Sequence, residues 1–248
     1  MGIGEHFCYD DDMKLIVDPT IFERYPDVEI GVLDIHGMDN SGHNNEILSL
    51  LRKEEAHQHE LLANTELGSL PEIGAWRKIY KSFGSDSHDF LSSVEAVLRR
   101  ARRGVNPLPQ INNLVDLYNY ISLKYHMPVG AEDSDKIQGD VRLGFMTGTE
   151  KGMALGNDHE EVCDAGEVAY ADDEGFLCRR WNWREADRTK IEETTKNAML
   201  VIEKVPVIDR NMLEDALLET QILIERYLHG TCAMVILSKD QTSYELLH

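Results

Sequence analysis

The chain of 248 residues contains no apolar run near the roughly 20 residues that span a bilayer, and its opening MGIGEHFCYDDD lacks the basic and apolar regions of a signal peptide. These two absences exclude a spanning helix and set the expectation of a cytoplasmic protein. The four cysteines, Cys8, Cys163, Cys178 and Cys232, show no CxxC spacing, so neither a disulfide framework nor a cysteine zinc site is expected. No GxSxG occurs, which removes that route to a Ser-His-Asp hydrolase. The ten histidines suggest no metal: His57 and His59 at i, i+2 point apart on a helix, and His36 and His43 lack a third ligand at the usual spacing. No cofactor is expected. Basic residues are also scarce, 25 Lys and Arg against 45 Asp and Glu, and the net charge of -20 repels nucleic acid at long range. DNA and membranes are therefore not expected partners.

What is present is a soluble globular balance, 42% hydrophobic and 28% charged, enough to bury a core in one large domain or a core with appendages. The few cations are clustered. RRARR at 99–103 and the segment 179–190 together hold 9 of the 25 Lys and Arg. The second cluster lies in CRRWNWREADR (178–188), which also holds two of the three tryptophans.

Hydrophobic periodicity predicts a strand at 29–40 and a helix over 44–64, with Ile47, Leu50, Leu51, Leu61 and Leu62 at its apolar positions. A helix over 71–84 closes at Gly84. Another at 92–104 opens on a capping box, Ser92 with Glu95, and stops at Gly104. After the breaker NPLP (106–109) a helix runs over 111–128, with Asn112, Asp116 and Asn119 along one face. EVAYADDEGFLCRRW (167–181) reads as a hairpin about DDEG, 197–206 and 231–238 as strands, and 211–230 as a late helix. The fold class is α+β.

The segments INNLVDLYNYISLKYHMPVGAEDSDKIQGDVRL (111–143), EVAYADDEG (167–175) and TTKNAMLVIE (194–203), in this order, resemble the B3/B4 domain of the phenylalanyl-tRNA synthetase beta subunit. They look like its asparagine-led helix, its P-x-x-A-x-D turn with the following DxDKIxGxIxVR, and its xLVIAD and xETxNxLLE strands. The resemblance covers roughly 70–240 and is strongest at 111–203. It implies a B3/B4-type fold, mixed sheets with flanking helices, in which 1–70 is an N-terminal strand-helix part, 71–240 the B3/B4-like domain and 241–248 a tail. It also implies a role next to aminoacyl-tRNA, because the synthetase domain hydrolyses mischarged amino acid from the tRNA 3′ end. No aminoacylation motifs accompany it, so a complete ligase is not expected. Position by position, the family's pocket asparagine falls on Asn119, its turn histidine on Gly130, its GGxxGG lining on WNWREA (181–186) and its strand glutamate on Val201. Glu203 lies two residues further along the same strand face.

Taken as a strand continuing from Phe176, the island puts Cys178, Arg180 and Asn182 on one face and Leu177, Arg179, Trp181 and Trp183 on the other. Two readings stand side by side. In one, Arg179, Arg180, Trp181, Trp183, Arg184 and Asp187 bind substrate, while Asn119, Asn182 and Glu203 orient substrate or water. In the other, the tryptophans are core and the arginines pair with 172–174, Glu185 and Asp187. Likewise Arg99, Arg102 and Arg103 are either an RNA contact or a solvated face, and Asn112 is either pocket wall or helix cap. The functional expectation is a free-standing domain that hydrolyses mischarged aminoacyl-tRNA in trans. The alternative is a non-catalytic RNA- or small-anion-binding module, and a third possibility is docking on a synthetase or other basic protein.

Overall fold

The structure, a computed structural model, describes residues 13–86, 88–104 and 108–247. Cys8, the rest of the opening segment, and Asn106 and Pro107 of the predicted breaker lie outside the described residues. In chain order the elements are β1 (Lys14–Val17), α1 (Pro19–Arg24), β2 (Glu29–His36), α2 (Asn45–Leu62), α3 (Pro71–Ser82), α4 (Ser93–Arg103), α5 (Asn113–Tyr125), β3 (Val129–Asp133), β4 (Val141–Phe145), β5 (Lys151–Gly152), β6 (Glu161–Val162), β7 (Val168–Ala171), β8 (Phe176–Arg179), β9 (Arg184–Glu185), β10 (Ala198–Lys204), α6 (Arg210–Tyr227), β11 (Thr231–Leu237) and β12 (Ser243–Glu245).

The helices form for local reasons and persist because each buries one face. On α5 the Asn112 side chain accepts from Val115 N, and the helix ends where His126 turns left-handed (φ 54°), two residues before Pro128. Gly104 closes α4 at φ 63°. At its other end, however, the expected capping box is not made. The Ser92 hydroxyl is buried without a partner, and Glu95 turns instead to the Arg77 guanidinium (2.6 and 3.0 Å). An ion pair between α3 and α4 outcompetes a local cap.

The strands build two main sheets, β12-β1-β4-β7-β8-β9 and β11-β2-β10-β3. Register decides which residues meet between them. Directly opposed residues share a face, so Gly130 and Glu132 on β3 stand beside Val201 and Met199 on β10, with Glu203 further along that face. In the other sheet Leu143, Tyr170, Cys178 and Glu185 share one face across β4, β7, β8 and β9. These two faces look at each other. The hydrogen bond from Tyr170 Oη to Glu203 Oε1 (2.6 Å) crosses between them, and Tyr244 Oη reaches Asp34 in the same direction. The outer face of the smaller sheet is closed by α6, which comes so near at Gly31 that an added Cβ would lie 2.6 Å from the Leu217 side chain. Residues 13–70 and 241–247 are woven into this arrangement: β1 is paired by β4 and β12, and β2 lies inside the smaller sheet.

Candidate functional site

The island does not continue as a strand. β8 ends at Arg179, and Arg180 (φ 49°) and Trp181 (φ 70°) both adopt the left-handed conformation, which costs a non-glycine residue about 1–2 kcal/mol. Tertiary hydrogen bonds hold the turn: Arg180 N donates to Glu167 Oε1 (3.1 Å), Trp181 N to Val168 O (2.6 Å) and Ser93 N to Asn182 O (3.0 Å). The expected alternation is thereby overturned from residue 180 onward. Trp181 is fully buried, edge-on to Trp76 and Tyr25, and Asn182 is turned inward beside it.

The arginines are corrected with it. Arg179 donates twice to Glu167 (2.7 and 3.1 Å) and once to Glu161 (2.6 Å); burial alone would lower its pKa, but these carboxylates raise it. Arg180 is buried, pairs with Asp164 (2.6 Å), donates to Ser85 and lies 3.7 Å over the Phe90 ring. Neither borders the cavity described below, so neither is placed to bind a ligand there. Asp187 pairs with Lys190, and Arg188 with Asp172 and the Lys136 carbonyl. On α4, Arg99 is held by Glu95 and Arg102 donates to the Thr65 carbonyl, while Arg103 is exposed. The cationic cluster is mostly consumed by the chain's own acids.

Between the two sheets, under the 180–183 turn, lies a cavity of about 320 Å³. Pro128, Val129, Met199 and Val201 give it apolar walls, Trp181 and Trp183 one side, and Leu155 part of its rim. Asn182 and Glu203 line it together, as the sequence suggests, but neither is free. Glu203, 1% exposed, accepts from Tyr170 Oη (2.6 Å), Trp181 Nε1 (2.9 Å) and Asn182 Nδ2 (2.5 Å). Asn182 Oδ1 in turn accepts from Tyr80 Oη (2.9 Å). Burial pushes the Glu203 carboxyl up to about 7, against the three donors that favour its ionised form. This network fixes the strained turn and engages both Glu203 oxygens. Asn119, expected on the pocket wall, is half-buried on α5 and does not border the cavity. Its neighbours on that helix face have structural work: Asn112 caps the helix and donates to Ile191 O, and Asp116 accepts from Ile111 N.

The residues that sequence reasoning missed are Glu132 and Glu185. Both line the cavity. Glu185 reaches across to β3, where its Oε1 lies 3.5 Å from the position of a Cβ added at Gly130. Glu132, two residues along on the same face, is 6% exposed and its Oε2 is buried without a hydrogen-bond partner. Burial raises both carboxyls above the ordinary range, and for Glu132 the charge of Glu185 adds to it, so the two keep a proton that isolated glutamates would lose. The only sequence signal was the period-two register of VGAED, which puts Gly130 and Glu132 on one face. Among the described residues lining the cavity, Arg184 is the one cation, stacked 4.5 Å over Trp183. No group of three His, Cys, Asp or Glu among the described residues is arranged to hold a metal ion, and no helix there is long and apolar enough to cross a membrane.

With this geometry in view, comparison with known proteins gives consistent relatives. A stretch of 117 residues, 47% of the chain, is 30% identical to the phenylalanine–tRNA ligase beta subunit of Fusobacterium nucleatum subsp. nucleatum. A stretch of 72 residues, 29% of the chain, is 42% identical to that of Mycoplasmoides gallisepticum. The matches span only 13% and 9% of the length of those proteins. Among solved structures, an N-terminal fragment of the phenylalanyl-tRNA synthetase beta subunit from Pyrococcus horikoshii aligns over 90% of this chain and 53% of its own, with TM-score 0.47 and 12% identity. The B3/4 domain family itself matches residues 75–228, more than half of the sequence, and the chain belongs to that family.

Proposed function

We propose that this B3/B4 domain binds aminoacyl-tRNA and hydrolyses a mischarged amino acid from it. One observation carries the reading. The three places where this sequence departs from the editing-pocket pattern it resembles, Gly130, the stretch Trp181–Ala186 through all its residues but Ala186, and Val201, border the same cavity. A volume of about 320 Å³ suits an amino-acid side chain with its ester rather than a whole nucleotide. An aminoacyl ester is already activated, so a positioned water and stabilisation of the oxyanion suffice and no nucleophilic triad is required. In this reading Arg184 offsets the negative charge of the oxyanion or of the terminal nucleotide, and Trp183 offers its half-buried ring to the incoming group. Asn182 and Glu203 shape the pocket wall instead of performing the chemistry.

The small-anion-binding alternative has little left to rest on, because Arg179 and Arg180 are spent on Glu161, Asp164 and Glu167 outside the cavity, whose lining carries three carboxyls. The test is a panel of tRNAs, each charged with a labelled amino acid, incubated with the protein. Release of label from at least one of them is expected, and Gly130→Leu should abolish it by filling the cavity, since the Cβ itself meets nothing closer than 3.5 Å. Retained tRNA binding with no deacylation of any species would favour the non-catalytic module.

A further inference from the structure

Buried Glu132 and half-buried Glu185 stand out from the other inward-facing acids because the fold does not use them. Glu203, Glu167 and Glu95 are each satisfied by donors or arginines. Neither Glu132 nor Glu185 makes an ion pair with a cation among the described residues, and Glu132 Oε2 has no hydrogen-bond partner although its residue is 94% buried, given an exposure of 6%. Leaving a buried acceptor unpaired is costly unless something supplies the missing donor. The groups facing the pair bring no cation into contact with it. Tyr170 and Cys178 from the opposing sheet and Tyr118 from α5 are held neutral, burial raising all three before the carboxylates add to it. Arg188 acts on Glu132 only at a distance, its nitrogens being engaged by Asp172 and the Lys136 carbonyl. Glu203 is closed off by its own three donors, Arg184 lies over Trp183, and the Thr189 hydroxyl, the one donor that favours ionised Glu132, does not reach full hydrogen-bond geometry and leaves Oε2 unsatisfied.

We infer that Glu132 and Glu185 form a subsite for a protonated amine, so that the cavity selects a ligand with an ammonium group on an apolar body of amino-acid size. This rests on, and sharpens, the aminoacyl reading above: the amine is either the α-amino group of the ester or a side-chain amine. An ammonium between the two carboxyls supplies charge-assisted hydrogen bonds to both and supports two ionised oxygens where the fold alone supports one. Binding therefore expels to solvent a proton that the two carboxyls otherwise retain. No bond is made or broken; the amine keeps its own protons and the carboxyl loses one. The apolar walls exclude strongly hydrated inorganic cations and favour an organic one.

The experiment is calorimetric titration of the whole chain with three probes: leucinamide, carrying only an α-amine; Nα-acetyl-lysinamide, carrying only a side-chain amine; and N-acetyl-leucinamide, carrying none. One of the first two should bind and the third should not. Glu132→Gln and Glu185→Gln should each weaken that binding about tenfold to a hundredfold. Titration of the unaltered protein in buffers of different ionisation heat should show proton release near neutral pH, a readout that stands even if a variant does not fold. The pH profile identifies the source. Affinity for a side-chain amine rises with pH and then stays level, whereas for an α-amine it rises and falls again above pH of about 8, where that amine loses its proton. Equal binding of the uncharged probe, absence of binding by either amine, or binding without proton release and unchanged in the folded glutamine variants would overturn the subsite. Amine binding without deacylation of any tRNA would leave the subsite standing and remove the hydrolytic function; deacylation indifferent to both glutamine variants would do the reverse.

Discussion

The three glutamate carboxyls that line one cavity, Glu203 on one side and Glu132 with Glu185 on the other, have opposite surroundings. Glu203 sits under three side-chain donors, each of which it holds in place; Glu132 and Glu185 line the cavity without such donors, one buried oxygen of Glu132 unpaired. The first arrangement is what a fold does with an acid it needs for its own shape. The second keeps a destabilising feature that the fold alone does not explain, and a site for a cationic group does. The same contrast separates the arginines: Arg179 and Arg180 are clamped by internal acids, while Arg184 keeps to the cavity edge.

The sharpest way to break the comparison is Glu203→Ala. It would leave Tyr170 Oη, Trp181 Nε1 and Asn182 Nδ2 without their acceptor and free the left-handed turn, at a cost of about 5 kcal/mol in urea unfolding. A loss below about 1 kcal/mol would mean that Glu203 is not architectural. Next comes Arg179→Ala, which removes the two guanidinium donors of Glu167, 1% exposed, and leaves it the backbone donors of Asp164 and Arg180; it is expected to cost about 3 kcal/mol by the same measurement.

The carboxyl pair should behave in the opposite sense. Because folding raises its pKa values, the folded chain holds a proton that the unfolded chain releases. The pair therefore does no harm below the ordinary glutamate pKa, and stability falls as pH rises from there through the raised values, then levels. Glu185→Gln should accordingly stabilise the protein by about 1–2 kcal/mol at pH 8 and change little at pH 4, as read from denaturation midpoints at both pH values. Destabilisation at pH 8 would show that the pair has an internal partner after all. The smallest contrast is between two helix starts. Asn112→Ala removes a cap and should cost about 1 kcal/mol, whereas Ser92→Ala removes a hydroxyl that caps nothing and should fall within about 0.5 kcal/mol of neutral.

Much of the fold was legible in the sequence because the signals were local. The stripe on α5 with its Asn112 cap, the Gly104 stop of α4 and the hairpin around DDEG follow from periodicity and turn chemistry within a few residues. The site was less legible, since its shape is decided by partners far along the chain. Alternation misplaces Arg180, Trp181 and Asn182 because two left-handed residues reverse the register, and those conformations exist only under Glu167, Val168 and Glu203. The meeting of Glu132 and Glu185 in one cavity needs both sheets to be stacked before it appears, and Glu95 turns to Arg77 instead of its cap for a similarly distant reason. Asn119, the one pocket residue the resemblance retained, stands apart from the cavity, while the three altered positions surround it.

The most direct measurement of the central claim, that an aminoacyl group occupies the acidic cavity between the sheets, is the rate of label release from the charged tRNA panel with the unaltered chain and with the Glu132→Gln, Glu185→Gln double variant. Acceleration of at least one species by the unaltered chain, reduced about tenfold or more in a double variant that remains folded, is expected. Acceleration of none, or a rate that the double variant leaves untouched, would contradict it.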